Sequence, residues 1–289
     1  VVKQILLDYY ELLKPRVVLL MIITSAIGML LAMQAVNWSL LIMGNLGIAL
    51  MAGSAACFNH IIDQKVDRSM QRTQNRPLAK QRVPVINAIV YAAVIGCLGF
   101  ICLVSWANWL AAYLTLLSLV GYALIYTMYL KRATPQNIVI GGLAGSTPPL
   151  LGWVCVTNQV DPQALVLALI IFVWTPPHFW ALALYRLDDY KNAAIPMLPS
   201  THGVKYTQYQ MIYYCVLLLV VSILPWLMQM FGLVYLIVAV ILGCIFLGFA
   251  IQVLRYGAKQ HKLNMQMFQF SIIYLALLFS TMLIDQKLL

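Results

Sequence analysis

The chain has 289 residues, 63% of them hydrophobic and only 9% charged, with a mean hydropathy of +0.88. No soluble domain has that composition, and apolar runs recur near the ~20 residues that a helix needs to cross a bilayer. The net charge of +10 fits basic loops that orient a membrane protein and meet anionic headgroups, so the expected environment is the lipid bilayer and nucleic acid is set aside as a partner.

The expected class is therefore all-α, a polytopic membrane protein built as one transmembrane domain over residues 1–289. Lys3, Asp8, Glu11, Lys14 and Arg16 precede a first apolar run that is itself long enough to span, so no cleavable signal peptide is expected. Hydropathy predicts nine helices, over 17–36, 39–58, 84–105, 109–130, 138–157, 163–185, 209–230, 232–254 and 266–285. Connections near 37, 107, 159 and 231 are short and nearly uncharged, whereas those at 59–83, 131–137, 186–208 and 255–265 carry the charge. Every Lys and Arg except Lys287 falls on the side of the charged connections, which places the amino terminus in the cytoplasm and the carboxyl terminus opposite. The cysteines at 57, 97, 102, 155, 215 and 244 sit in apolar segments without a metal-ligand spacing and read as small core residues.

The second span runs into Asn59-His60-Ile61-Ile62-Asp63-Gln64-Lys65-Val66-Asp67, followed by Arg68, Arg72, Arg76 and Pro77. On a helix Asn59, Asp63 and Asp67 advance about 40° per step and share one face. Neighbouring carboxylates in apolar surroundings need a positive partner. A divalent ion held by one or two carboxylates and substrate phosphate oxygens supplies it and gives the arginines a purpose. The same spacing also suits a solvated helix end on which acids and arginines merely pair. Tyr126, Tyr129, Lys131 and Arg132 close the fourth span, where the Lys-Arg pair suits diphosphate oxygens or a headgroup anchor. Small residues follow at Gly141-Gly142 and Ser146-Thr147-Pro148-Pro149, a composition that favours close helix packing.

In the sixth span Trp174-Thr175-Pro176-Pro177 is expected to break the helix just before His178. A helix resuming there and running through Tyr185 and Arg186 would turn His178, Tyr185, Asp189 and Asn192 to one side, with Asp188 roughly 80° away. Of eight acidic residues, Asp63 and Asp67 follow the second span and Asp188 and Asp189 the sixth. That recurrence suggests a weak repeat, helices 1–4 answered by 5–8 with a ninth added, its acids facing each other across a central cavity near charged cytoplasmic loops.

The pattern N-x-x-x-D-x-x-x-D, the downstream Arg76-Pro77 and the second acidic motif resemble the intramembrane aromatic prenyltransferase superfamily. The runs NHIIDQKVDRSMQRTQNRPL, YTMYLKRATPQNIVIGG and WTPPHFWALALYRLDDYKNAAIPMLP are similar to its haem-farnesylating branch, over essentially the whole chain. Two positions depart from relatives on quinone pathways: His178 stands where the first acid of their second motif would be, and His60 where their first motif often has its second acid. The resemblance implies that farnesyl diphosphate, haem B and water give haem O and diphosphate, with Mg2+ as cofactor and haem B as substrate. It implies that Asn59, Asp63 and Asp67 hold one ion and Asp188 with Asp189 another. Arg72, Arg76, Lys131 and either Lys14 or Arg16 would take phosphate oxygens, while Arg132, Tyr126 and Tyr185 complete the binding set. His178 would contact haem or manage the entering water. An inner-membrane location and contact with a downstream haem A synthase or terminal oxidase follow from the same resemblance. Two rivals remain at this point, a prenyltransferase for 4-hydroxybenzoate or another aromatic acid, and an ion-coupled transporter with carboxylates at broken helices.

Overall fold

Between Asn59 and Ser69 the sequence has neither glycine nor proline, so nothing local stops a helix that enters from the second span. In the computed structural model that helix continues well past its apolar part, as α3 (Trp38–Ser69). The acidic run is thus part of a spanning helix, where hydropathy alone predicts a loop from residue 59. The structure describes residues 2–70, 73–192, 195–257 and 261–286.

The other elements are α1 (Val2–Leu12), α2 (Pro15–Ala32), α4 (Val85–Trp106), α5 (Trp109–Val120) and a π-helix (Gly121–Leu130), then α6 (Lys131–Ala133), α7 (Asn137–Ser146) and α8 (Pro148–Thr157). They continue with α9 (Pro162–Tyr185), α10 (Leu187–Asn192), α11 (Leu198–Thr201), α12 (Val204–Val221), α13 (Leu224–Leu227), α14 (Leu233–Tyr256) and α15 (His261–Gln286). Among the described residues there is no strand, and nine helical segments are long and apolar enough to cross a membrane. This is a multi-pass membrane protein. The seventh and ninth spans begin at Val204 and His261, so part of the charge expected in connections, Lys205 and Lys262 included, stands on first helical turns.

The described residues form two compact units: 1–132 with 147–160, and 133–146 with 161–289. The fifth span is therefore divided, α7 belonging to one unit and α8 to the other. Glycines set the packing of the first. A Cβ on Gly28 of α2 would stand 2.1 Å from the carbonyl oxygen of Pro149, and one on Gly152 of α8 2.1 Å from that of Ser25. Gly47 and Gly99 likewise bring α3 and α4 into near-backbone contact. Small residues earn their place here because lipid gives helices no hydrophobic drive to associate, leaving close packing to hold them. Met29, Ile48, Met51, Leu103, Leu151 and Val154 fill the space around these contacts.

In the second unit α9 packs against α7, α12 and α15, with Trp180, Tyr235, Phe246 and Tyr274 fully buried. Asp285 caps the start of α14 by accepting from the amides of Gly232 and Tyr235. Tyr235 Oη donates to the Ser222 carbonyl at 2.8 Å, and Ser222 Oγ meets Tyr274 Oη at 2.8 Å. The expected break before His178 is absent: α9 runs through Pro176 and Pro177 without interruption. Two amide donors are lost there, but three packed helices hold the backbone in place, and Thr175 Oγ1 bonds back to the Ile171 carbonyl at 2.7 Å. The second tandem proline, Pro148-Pro149, does interrupt its span, at Thr147. The preceding turns there carry Gly141, Gly142 and Gly145, which weaken the helix by roughly 1 kcal/mol each relative to alanine.

Gly28→Ala and Gly152→Ala should each lower stability by about 1–3 kcal/mol, because the new methyl meets backbone that cannot rotate away. Gly248→Ala, with no atom within 4 Å of its added Cβ, is the control expected to be neutral. Thermal unfolding in detergent reads all three.

Candidate active site

The acidic face of α3 is enclosed, with Asp63 only 1% and Asp67 4% exposed. Ionised groups there need cations, and these arrive from distant parts of the chain. Lys131 Nζ donates to Asp63 Oδ2 at 2.6 Å. Arg76 Nη1 reaches both oxygens of Asp67, at 2.9 and 2.8 Å. Asn59, one turn before Asp63, bridges the set: its Nδ2 donates to Asp63 Oδ2 at 3.0 Å and Thr127 Oγ1 at 3.1 Å, while its Oδ1 accepts from Lys14 Nζ.

Each cation is delivered by irregular backbone. Lys131 follows ten residues of π-helix, in which Thr127 Oγ1 donates to the Tyr122 carbonyl at 2.8 Å. Bonding from i to i+5 widens the turn and turns Thr127 and Lys131 toward α3; such segments recur at functional sites. Tyr126, half-buried, stacks on Tyr122 in the same segment, ring centroids 5.5 Å apart. Arg76 sits on the loop after α3, which is tied down where Gln64 Nε2 donates to the Leu78 carbonyl at 2.9 Å. Arg82 of the same loop pairs with the buried Asp8 of α1 at 3.1 Å. Lys14 takes a left-handed backbone, φ 50°, costing about 1–2 kcal/mol for a residue with a Cβ. Packing around its ammonium pushes Lys14 down from 10.5 to about 7; Arg76 and Lys131 push the same way, and Asp63 and Asp67 oppose them. Arg16 is exposed.

Two groups on this face lack protein partners among the described residues. Asp63 Oδ1 is buried and unbonded, and so are both ring nitrogens of His60, although leaving such atoms unmade costs about 1–3 kcal/mol each. A carboxylate oxygen of that kind fits a hard cation. Magnesium binds through one or two carboxylates and completes its shell from substrate oxygens and water, so this donor set fits it.

The second acidic motif is built differently. α9 ends at Tyr185, Arg186 caps it, and α10 begins at Leu187, so the single helix expected to align His178, Tyr185, Asp189 and Asn192 does not form. Asp188 is exposed, and Asp189 pairs with Arg186 at 3.3 Å. Tyr185 lies under the Arg186 guanidinium, 5.6 Å from ring centroid to carbon. His178 is buried within α9, stacked between Trp174 at 4.1 Å and Phe268 at 4.5 Å. Arg72, and the side chain of Arg132, lie outside the described residues. Thr127, the orphaned state of His60 and the contact of Ser271 with His178 have no local sequence signal.

Lys131→Met would leave the Asp63 carboxylate enclosed without its cation, an expected loss of about 3 kcal/mol. Adding Asp63→Asn should recover most of it. A double-mutant cycle on melting in detergent measures the coupling, and a fully stable Lys131→Met variant would mean that Asp63 has another counter-ion.

The chain is 56% identical over 283 residues to the Protoheme IX farnesyltransferase of Saccharophagus degradans, covering 98% of this chain and 93% of the relative. Among solved structures, one described as digeranylgeranylglyceryl phosphate synthase in membranes superposes with a TM-score of 0.82 at 19% identity, covering 98% of this chain and 99% of that one. A UbiA homolog from Archaeoglobus fulgidus bound to DMAPP and Mg2+ gives 0.74 at 15% identity, covering 98% and 100%. Residues 21–273 match the profile of the UbiA prenyltransferase family, and the chain belongs to that family.

Proposed function

We propose that this protein transfers the farnesyl group of farnesyl diphosphate to a vinyl group of haem B, with addition of water, giving haem O and diphosphate. The observation that carries the reading is the enclosed face of Asp63 and Asp67, matched by Arg76 and Lys131 and holding a carboxylate oxygen with no partner among the described residues. The high identity to a curated farnesyltransferase of protoheme along nearly the whole chain supports the choice of substrates. The Mg2+ and DMAPP bound to the Archaeoglobus fulgidus fold relative support a magnesium requirement.

The chemistry asks for charge control above all. The farnesyl C1–O bond breaks with both electrons leaving on diphosphate; the allylic cation adds to the vinyl carbon, and the cation so formed takes up water and releases a proton. Magnesium, when bound with the diphosphate, supplies the positive field that stabilises the leaving group. Asn59, Asp63 and Asp67 would hold one ion, and Asp188 with Asp189 another. Arg76, Lys131 and Lys14, which balance the acids in their absence, would meet phosphate oxygens instead, helped by Arg72. Tyr126, Tyr185 and Arg132 complete the proposed binding set. Capture of the farnesyl cation at a vinyl group, with uptake of water, removes no aromatic proton, so no carboxylate base is needed where His178 stands. The charged connections and the amino terminus are assigned to the cytoplasmic face of the inner membrane.

Conversion of haem B to haem O, followed by chromatography with purified protein and farnesyl diphosphate, tests the reading. Asp63→Ala and Asp67→Ala should reduce turnover at least 100-fold in protein that remains inserted and folded, and chelation of Mg2+ should do the same reversibly. Full turnover in either variant would remove the central claim.

Arg76→Met should raise the farnesyl diphosphate requirement about tenfold or more, the scale of a lost charged hydrogen bond of roughly 1.5–3 kcal/mol. The haem requirement should stay unchanged, because this cation does not touch the acceptor. Steady-state titration of each substrate decides; a shift confined to haem would reassign Arg76.

A further inference from the structure

His178 has one ring nitrogen engaged, and the direction of that bond can be worked out. Ser271 Oγ lies 2.5 Å from His178 Nδ1 and 2.6 Å from the Phe268 carbonyl oxygen. A carbonyl oxygen only accepts, so the single hydroxyl proton of Ser271 is committed to Phe268. The contact with His178 is then a hydrogen bond only if Nδ1 carries the proton. The carbonyl of Ser271 also accepts from Trp174 Nε1, at 2.8 Å, and Trp174 covers one face of the imidazole while Phe268 covers the other. Ser271 itself is 0% exposed and His178 7%. The result is a ring locked in plane and tautomer, whose Nε2 carries a lone pair and has no partner among the described residues.

We propose that Ser271 is a positioning residue that holds His178 as its Nδ1–H tautomer, so that Nε2 offers a lone pair to an electron-pair acceptor at the porphyrin. The proposal rests on the haem-farnesylating reading given above. Two acceptors share that chemistry. One is the haem iron. The other is an O–H of the water that adds to the vinyl-derived cation: its oxygen bonds to carbon, the O–H bond breaks, and the proton passes to Nε2. In either case the outer hydrogen bond fixes which nitrogen acts, as carbonyl and carboxylate partners do for metal-binding histidines.

The test uses full-length protein labelled with 15N-histidine in nanodiscs. Long-range 1H–15N correlation, with His178→Gln to assign the signal, should show a protonated Nδ1 and a bare Nε2 in the parent. Ser271→Thr should preserve that pattern and Ser271→Ala should lose it. An Nε2–H tautomer in the parent overturns the proposal. Haem B and metal-free protoporphyrin IX are then titrated against the parent and Ser271→Ala. If the iron is the acceptor, Ser271→Ala weakens haem B binding about tenfold or more and shifts its absorption band, without affecting the metal-free ring. If water is the acceptor, both porphyrins bind as before and kcat falls with the haem KM unchanged. A Ser271→Ala protein that has lost the tautomer yet keeps parental binding and turnover overturns the proposal. A parent with the stated tautomer that binds neither porphyrin overturns the haem reading and, with it, the role given to Nε2.

Discussion

Two carboxylates enclosed on one face of a membrane helix demand positive charge within hydrogen-bonding reach, and much of the irregular backbone in the first unit answers that demand. The effective penalty for burying an ion is several kcal/mol even after relaxation, and it is offset only by close, well-directed pairing. Asp67 has both oxygens within reach of a single nitrogen of Arg76, and Asp63 takes a short bond from Lys131. Neither cation stands on α3, so the loop and the fourth span must be held where their charges meet that helix. The bonds from Gln64 to Leu78 and from Arg82 to Asp8 serve the loop. The π-helix serves the fourth span.

Those pairs also balance charge within the first unit, where each buried carboxylate of α3 meets a protein cation. Asp63 shows how incomplete the balance is: one oxygen takes both Lys131 and Asn59, and the other takes nothing among the described residues. The second acidic motif carries a looser version, an Arg186–Asp189 pair at 3.3 Å on a short helix with an exposed Asp188. Weak, half-solvated pairs of this kind contribute little to stability, which leaves those acids free to change partners at small cost.

Side chains proposed for the site sit where helices depart from regularity. Lys14 occupies a left-handed backbone, Lys131 ends a π-helix, and Asp189 follows the turn that closes α9. Strained or sparsely populated geometry costs about 1–3 kcal/mol per residue and persists only where its surroundings hold it. Here Lys14 is held by its bond to Asn59 and Lys131 by its bond to Asp63. His178 shows the opposite solution: it stays inside a regular helix, and its orientation is set by Trp174, Phe268 and Ser271 instead.

Amino-acid order by itself determined the nine spans, the side on which charge collects, and the shared face of Asn59, Asp63 and Asp67, because transfer into lipid and helical periodicity depend on residues close in sequence. Tandem proline was a weaker guide, since Pro176-Pro177 stays within α9 while Pro148-Pro149 ends a helix; neighbouring helices and nearby glycines decide between those outcomes. Which cation meets which carboxylate was decided only by the tertiary structure. Lys131 lies 68 positions from Asp63 and Ser271 lies 93 from His178, so no local spacing records either pair. The tautomer of His178 is a further step removed, for it depends on where a third residue, Phe268, places one carbonyl oxygen.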